Sequence, residues 1–127
     1  MNRVRLLLDT HVFLWWRMND RRLHKPARDA ISSADLVFVS AASAWEAAIK
    51  VRLGKLRLPE PLEAGVMDSG FEKLPIQFSH AEAAARLPPH HSDPFDRMLI
   101  AQAREERLTL VTHDRAFEPY RVPLIWA

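Results

Sequence analysis

Short, mainly apolar runs that lead into polar or acidic residues are the feature that most restricts how this chain can fold. Three of them are clear: Val4–Leu8, Leu36–Val39 and Leu108–Thr112. A strand with one face in water alternates apolar and polar residues, whereas a strand buried on both faces is apolar throughout its centre. These runs therefore predict short, buried strands of the kind found in parallel sheets.

The stretches between these runs carry helical patterns. The predicted helices are His11–Met18, Pro26–Ser33, Ala41–Leu53, Leu62–Met67, Ser79–Leu87 and Pro94–Glu106. Phe71–Ile76 and Val122–Trp126 add two weaker strands, the first at a sheet edge because it contains Pro75. Strands that alternate with helices form a parallel sheet covered on both faces. We therefore predict an α/β protein with one domain over residues 1–127, a three-layer α/β/α fold and a short central parallel sheet.

Length and composition exclude several classes of protein. A chain of 127 residues can bury one hydrophobic core, and the absence of cysteine excludes disulfides and thiolate metal sites. The segment that begins at Met1 contains only three consecutive leucines, too few for a signal peptide, and no apolar run approaches membrane-spanning length. We expect a cytoplasmic protein that does not contact a membrane. The formal net charge of +2 is by itself weak evidence for nucleic-acid binding.

Four acidic residues lie where this sheet should bind a ligand. Asp9 follows the first strand and Asp114 follows Leu108–Thr112, while Glu46 and Asp96 lie near the start of two predicted helices. In an open parallel sheet, the strand ends and the helix starts that follow them share one edge, where ligands bind. An all-carboxylate cluster selects a hard cation, Mg²⁺ or Mn²⁺, and without one the carboxylates repel each other.

Each acid also has a purely structural explanation. Asp9, Asp93 and Asp114 stand where a helix or turn begins, and each can act as an N-cap. Ser43 and Glu46 match a capping box, although an earlier helix start would leave Glu46 more than a turn inside. The position of all four acids at one edge favours a shared site, with Asp93 left as the cap.

The side chains beside these acids have less specific roles. His11 and His113 each adjoin an acid and can orient a carboxylate or touch substrate. Thr112 can bind metal-bound water or a phosphate, and Arg97 can contact a phosphate or pair with an acid. The pair His90–His91 follows two prolines and is predicted to be solvated in a loop.

Basic and aromatic groups give weaker signals. Two basic groups can follow a phosphate backbone or can be ordinary solvated surface: Arg17, Arg21, Arg22, Lys25 and Arg28, and Lys50, Arg52, Lys55 and Arg57. The adjacent Trp15 and Trp16 must point in different directions, so at least one is expected to meet a groove or a partner. An apolar stripe at helical spacing comprises Trp45, Ile49, Leu53 and Leu56.

Four segments together resemble the PIN-domain family, most closely the VapC-type toxins of bacterial toxin–antitoxin pairs. They are Leu6–His11, Ser40–Glu46, His91–Ala103 and Leu110–Asp114, in the family's order and spread over essentially the whole chain. The resemblance implies a Mg²⁺- or Mn²⁺-dependent endoribonuclease that cuts RNA, is usually a homodimer and is held inactive by a cognate antitoxin. The family's catalytic and metal-binding acids correspond to Asp9, Glu46, Asp96 and Asp114. Asp93 is an additional acid.

The chemistry expected of these residues follows from the metal. The three aspartates of the quartet are expected to hold it directly or through water, and Glu46 to hold a second metal or to orient the attacking water. Two other functions stay open. A catalytically silent binding module would use the acids as caps and act on a protein partner through Trp15–Trp16. A phosphatase with an aspartyl nucleophile usually has a second Asp two residues later, where this chain has His11.

Overall fold

The computed structural model describes residues 3–127, so the Met1–Asn2 part of the segment considered above as a signal peptide lies outside the described residues. The strands are β1 Arg5–Leu8, β2 Leu36–Ser40, β3 Glu72–Leu74, β4 Thr109–Thr112 and β5 Leu124–Trp126. The helices are α1 Thr10–Arg17, α2 Lys25–Ser33, α3 Ala41–Arg52, α4 Leu62–Asp68, α5 Phe78–Arg86 and α6 Pro94–Glu106, and a 3₁₀ helix spans Arg115–Tyr120. No helix in this described part is long and apolar enough to span a membrane.

The five strands form one parallel sheet in the order β3-β2-β1-β4-β5. β1 lies at the centre, where Leu7 is opposite Phe38 of β2 and Leu110 of β4. The short strand β3 forms one edge, as predicted from Pro75, which follows it directly. Because β1 is central, the residue after it is flanked on both sides by the ends of neighbouring strands.

Helices cover both faces of this sheet. Leu6 and Leu8 of β1 point into a core formed with side chains of α1, α2 and α4, such as Phe13. Leu7 points the other way, into a core that contains Leu99 and other residues of α6 and the 3₁₀ helix. Successive residues of a strand point to opposite faces, so two apolar cores require the uninterrupted apolar run Leu6–Leu8 of β1. The predicted three-layer α/β/α fold is confirmed.

The apolar stripe of α3 faces outward. Trp45 is 63% exposed and Leu53 is 61% exposed. The buried side of the helix consists of smaller or polar residues: Ala42, Ser43, Glu46 and Ala47. α3 therefore turns its acidic residue toward the protein and leaves large apolar side chains on the surface.

The two adjacent tryptophans of α1 have different environments. Trp15 is buried, with its ring 4.6 Å from the ring of His113. Trp16 is half-buried against Phe71 and lines a groove of about 370 Å³ together with Ile31. The expectation that one of the pair meets a groove is confirmed for Trp16. Because Trp15 belongs to the core, the two rings do not form a joint contact surface.

Candidate active site

A polar cleft of about 200 Å³ opens at the C-terminal ends of the central strands. It contains all four acids of the predicted site, together with an additional aspartate, three histidines, a threonine and a lysine. The lining residues are Asp9, Thr10, His11, Glu46, Lys50, His91, Asp93, Asp96, His113 and Asp114. The acids come from four separate parts of the chain, and the parallel sheet brings them to one edge.

Asp9 lies at the bottom of the cleft as the N-cap of α1. Its Oδ1 accepts a hydrogen bond from the backbone N–H of Val12 at 2.9 Å, and its Oδ2 accepts one from the Thr112 hydroxyl at 2.5 Å. Burial raises the pKa of this carboxyl above its ordinary value, against the lowering effect of these two bonds. Asp9 is therefore both the cap that the sequence allowed and a desolvated carboxylate facing the cleft.

Thr112 joins two of the acids. Its hydroxyl donates to Asp9 and accepts the backbone N–H of Asp114 at 3.0 Å. Asp114 in turn caps the 3₁₀ helix by accepting the N–H of Ala116 at 2.9 Å. The hydroxyl proton of Thr112 is engaged with a carboxylate, so this residue orients acids; the predicted contact with phosphate or metal-bound water does not match its position.

Asp96 points into the cleft from the first turn of α6. The N-cap of this helix is Asp93, whose Oδ1 accepts the N–H groups of Phe95 and Asp96 at 2.8 and 3.0 Å. The side chain of Asp96 therefore does not cap the helix, and its Oδ2 lies 2.7 Å from Nε2 of His91. Burial, partly offset by this bond, raises the pKa of Asp96 to about 6. The predicted division of roles between Asp93 and Asp96 matches these contacts.

The prediction that His90–His91 is a solvated pair is wrong for His91. The ring of His91 is only 20% exposed and lies inside the cleft against Asp96. The backbone N–H of His91 donates to the Tyr120 hydroxyl at 2.8 Å, which fixes the loop. His90 lies outside the cleft, with its ring 5.3 Å from the Tyr120 ring. A contact between a loop and a distant tyrosine leaves no local pattern in the sequence.

Glu46 is buried one and a half turns inside α3. Ser40 is the N-cap, accepting the N–H of Ala42 at 3.0 Å, so the alternative of a Ser43–Glu46 capping box is wrong. The Thr10 hydroxyl donates to Glu46 Oε1 at 2.6 Å, and Lys50 Nζ lies 3.1 Å from Oε2. Glu46 has no bond to its own helix start, so its carboxylate is directed across the cleft.

Arg97 does not pair with an acid. Its guanidinium donates to four backbone carbonyls: Pro88 at 2.9 Å, His91 at 3.2 Å, Ala84 at 2.9 Å and Leu87 at 2.7 Å. Among the described residues, the predicted pairing with a neighbouring acid is therefore wrong. The side chain instead fastens the loop between α5 and α6, which carries His91.

His113 and His11 line the side of the cleft next to Asp9. Nδ1 of His113 lies 4.0 Å from Asp9 Oδ2, and the two imidazole rings meet edge to face at 5.6 Å. One side of the His113 ring packs against the Trp15 ring, and the other faces the cleft. The His113 side chain as a whole is 38% exposed. Both histidines are placed to touch a ligand that reaches Asp9.

Within the cleft, His91, Asp96 and Asp114 form a group of three potential metal ligands. One ligand atom from each lies within 4.8 Å of the others. Asp9 and Glu46 line the same cleft, but within residues 3–127 neither joins a group of three that is equally tight. The oxygen-rich donor set suits a hard cation, and Asp9 and Asp96 are desolvated carboxylates that such a cation would stabilise.

Comparison with known proteins identifies the family. The family model for the PIN domain matches residues 6–122. The chain is 34% identical over 121 residues to ribonuclease VapC22 of Mycobacterium tuberculosis, covering 93% of each protein. The chain is a PIN domain of the VapC family.

Solved structures agree with this assignment of the fold. VapBC2 from Rickettsia felis, bound to a DNA fragment from its promoter, superposes on this PIN domain with a TM-score of 0.72 at 14% identity, covering 97% of this chain and 98% of that one. VapC20 of Mycobacterium tuberculosis, described as a toxin that cleaves the sarcin–ricin loop, gives a TM-score of 0.63 at 13% identity, with 92% and 95% covered. The predicted family is confirmed.

Proposed function

We propose that this PIN domain is a metal-dependent endoribonuclease that hydrolyses RNA phosphodiester bonds as the toxin of a toxin–antitoxin pair. The observation that carries the proposal is the convergence of Asp9, Glu46, Asp96 and Asp114, from four parts of the chain, on one cleft. The names of its relatives, a ribonuclease and the toxin partners of VapBC complexes, support the same activity.

Asp9, Asp96 and Asp114 would hold a Mg²⁺ or Mn²⁺ ion. Carboxylate oxygens are the ligands these cations prefer, and burial of Asp9 and Asp96 makes each carboxylate costly without a positive charge nearby. Such an ion, when bound, polarises the phosphodiester and makes a bound water more acidic. Thr112 contributes by holding Asp9 and the Asp114 backbone in fixed positions.

Glu46 is proposed to orient the attacking water or to hold a second metal. One carboxylate oxygen accepts from Thr10, and the other faces Lys50 at 3.1 Å. This fixed carboxylate can accept a hydrogen bond from water and so direct the water's lone pair toward phosphorus. Lys50 lines the cleft as well and can neutralise a phosphate oxygen.

Of the two basic groups in the sequence, the one formed by Lys50, Arg52, Lys55 and Arg57 offers the better path for the RNA backbone. In the first group, four cations are already bonded to acids or carbonyls: Arg17, Arg22, Lys25 and Arg28. In the second group Lys50 lines the cleft, while Arg52, Lys55 and Arg57 continue past the end of α3. These three are exposed and have no ion pair within the described part of the chain. A phosphate backbone that leaves the cleft along α3 would meet them in succession.

The proposed protein partners are a cognate antitoxin and a second copy of this chain. Toxin–antitoxin complexes among the structural neighbours support the antitoxin. The protein encoded by an open reading frame beside the gene can be tested for co-purification with this chain. For the homodimer, the exposed Trp45, Ile49 and Leu53 of α3 provide an apolar face. Leu53→Glu should then shift sedimentation toward the monomer, whereas Val51→Glu on the same helix should not.

A cytoplasmic location, where RNA is available, is part of this proposal.

Cleavage of a defined RNA pool tests the activity. We expect cleavage with Mg²⁺ or Mn²⁺, none with EDTA, and none by Asp9→Asn or Asp96→Asn when circular dichroism shows the fold intact. Asp93→Asn is the matched control, because Asn caps a helix as well as Asp does. Unchanged cleavage by both Asp9→Asn and Asp96→Asn would disprove the proposal. The alternative of a silent binding module predicts no specific Mn²⁺ binding in an isothermal titration.

A further inference from the structure

His91 lies in the cleft, although the sequence predicted it to be solvated in a loop. Its Nε2 lies 2.7 Å from Asp96 Oδ2, and it forms a group with Asp96 and Asp114 in which all ligand atoms lie within 4.8 Å. We propose that His91 supplies an imidazole nitrogen ligand to the metal held by Asp96 and Asp114. This inference rests on the proposed metal site and adds the chemistry of its donor set.

The spacing of the three side chains suits one ion. Ligands about 2.1 Å from an octahedral ion lie about 3 Å apart when adjacent and about 4.2 Å apart when opposite. The 2.7 Å separation of His91 and Asp96 is close to the first value, and every pair of ligand atoms in the group lies within 4.8 Å. Small movements of the side chains are enough to place one cation between them.

The backbone that carries His91 is held firmly for a loop residue. Its N–H donates to the Tyr120 hydroxyl at 2.8 Å, and its carbonyl accepts from Arg97 at 3.2 Å. The Tyr120 hydroxyl also donates to Pro88 O at 2.9 Å, so the loop is bonded at His91 and again three residues before it. Ligands that are supported in this way keep the geometry a metal needs. A histidine placed only to be solvated requires none of these bonds.

A nitrogen ligand changes which metal the site prefers. Imidazole binds transition-metal ions better than Mg²⁺, whereas carboxylates suit Mg²⁺ and Mn²⁺ alike. His91 Nε2 and Asp96 Oδ2 share a hydrogen bond; to bind a metal, Nε2 would offer its lone pair and the ring would carry its proton on Nδ1. His91 therefore should favour Mn²⁺ over Mg²⁺.

Pulsed electron paramagnetic resonance of Mn²⁺ bound to the full chain tests this assignment directly. We expect nitrogen modulation from a coordinated imidazole in the wild type, with the frequency change that ¹⁵N labelling produces. The modulation should be lost in His91→Ala and kept in His90→Ala, the adjacent histidine outside the cleft. In calorimetric titrations, His91→Ala should weaken Mn²⁺ binding by about tenfold or more and Mg²⁺ binding by much less.

The outcomes separate this inference from the proposal beneath it. If wild type binds Mn²⁺ without nitrogen modulation, or if His91→Ala weakens Mn²⁺ and Mg²⁺ equally, His91 is not a ligand and the metal-site proposal stands. If neither metal binds the wild type specifically, the proposed function itself fails. Because the wild-type spectrum needs no substitution, an absence of nitrogen modulation there would overturn the assignment even if a variant misfolds.

Discussion

Asp9 and Asp96 lose much of their hydration when the chain folds. Burial is the main cause of the raised pKa of both, and that of Asp96 rises from 3.8 to about 6. A carboxyl whose pKa is raised on folding binds protons more tightly in the folded state. The stability associated with its protonated form is present at low pH and is lost as the pH rises through the folded pKa. In the absence of metal, the site therefore destabilises the fold at neutral pH.

Asp96→Asn removes one of these charges and keeps a similar shape. In EDTA at pH 7.5 it should raise the free energy of unfolding by roughly 1–3 kcal/mol, and this gain should shrink at pH 5, where wild-type Asp96 is largely protonated. Urea titrations followed by circular dichroism at the two pH values measure the difference. Asp29→Asn, an exposed carboxylate of α2, is the matched control for loss of a surface charge. An equal gain at both pH values would contradict the argument.

The orienting role of Thr112 can be tested with two substitutions, one that removes the hydroxyl and one that keeps it. Thr112→Val keeps the volume but removes the hydroxyl that bonds both Asp9 and the Asp114 backbone N–H. Since it leaves buried polar groups without a partner, it should cost about 1–3 kcal/mol of stability and weaken Mn²⁺ binding. Thr112→Ser keeps the hydroxyl and should retain most of the metal affinity. Thermal unfolding and calorimetry give both quantities, and similar Mn²⁺ affinities for the two variants would count against an orienting role.

The conformation of the loop between α5 and α6 depends strongly on one side chain, that of Arg97. Arg97 donates four hydrogen bonds to backbone carbonyls of this segment. Lysine keeps the charge but lacks the planar fork that reaches several carbonyls at once. The conformation of the loop, and with it the position of His91, should therefore respond to a substitution that leaves the charge unchanged.

Arg97→Lys should lower the free energy of unfolding by about 1–3 kcal/mol, because partly buried carbonyls lose their donors. Arg86→Lys, at the exposed end of α5, should change it by less than about 0.5 kcal/mol. Amide hydrogen exchange should show faster exchange at His91 in Arg97→Lys alone. Equal exchange in both variants would mean that the loop is held by Tyr120 without help from Arg97.

Helices and strands were predictable because their signals are local. Asp93 and Pro94 mark the start of α6, and the apolar run Leu6–Leu8 of β1 indicates a central strand. The shared edge of a parallel sheet then indicates where Asp9 and Asp114 meet. His91 and Arg97 were not predictable, because their roles depend on contacts with Tyr120 and with carbonyls that only the folded chain brings near.

For the molecule as a whole, metal binding and folding stability are linked. An ion that binds only the folded chain stabilises it by about 2.7 kcal/mol at one hundred times its dissociation constant. We expect Mn²⁺ to raise the melting temperature by several degrees relative to EDTA. The rise should be lost in Asp9→Asn and kept in Asp93→Asn, as measured by differential scanning calorimetry. An equal rise in all three proteins would indicate binding elsewhere.

The strand order β3-β2-β1-β4-β5 has a consequence for the synthesis of the protein. β1 forms the centre of the sheet, yet its neighbour β4 is made much later, because Asp9 and Thr112 are 103 residues apart in the sequence. When Asp9 emerges from the ribosome, Asp114 and the Thr112 hydroxyl that orients Asp9 have therefore not yet been made. A nascent or truncated chain that stops before β4 therefore cannot assemble the cleft. On the proposed activity, the ribosome that makes this protein is not exposed to a working nuclease until β4 and Asp114 have emerged.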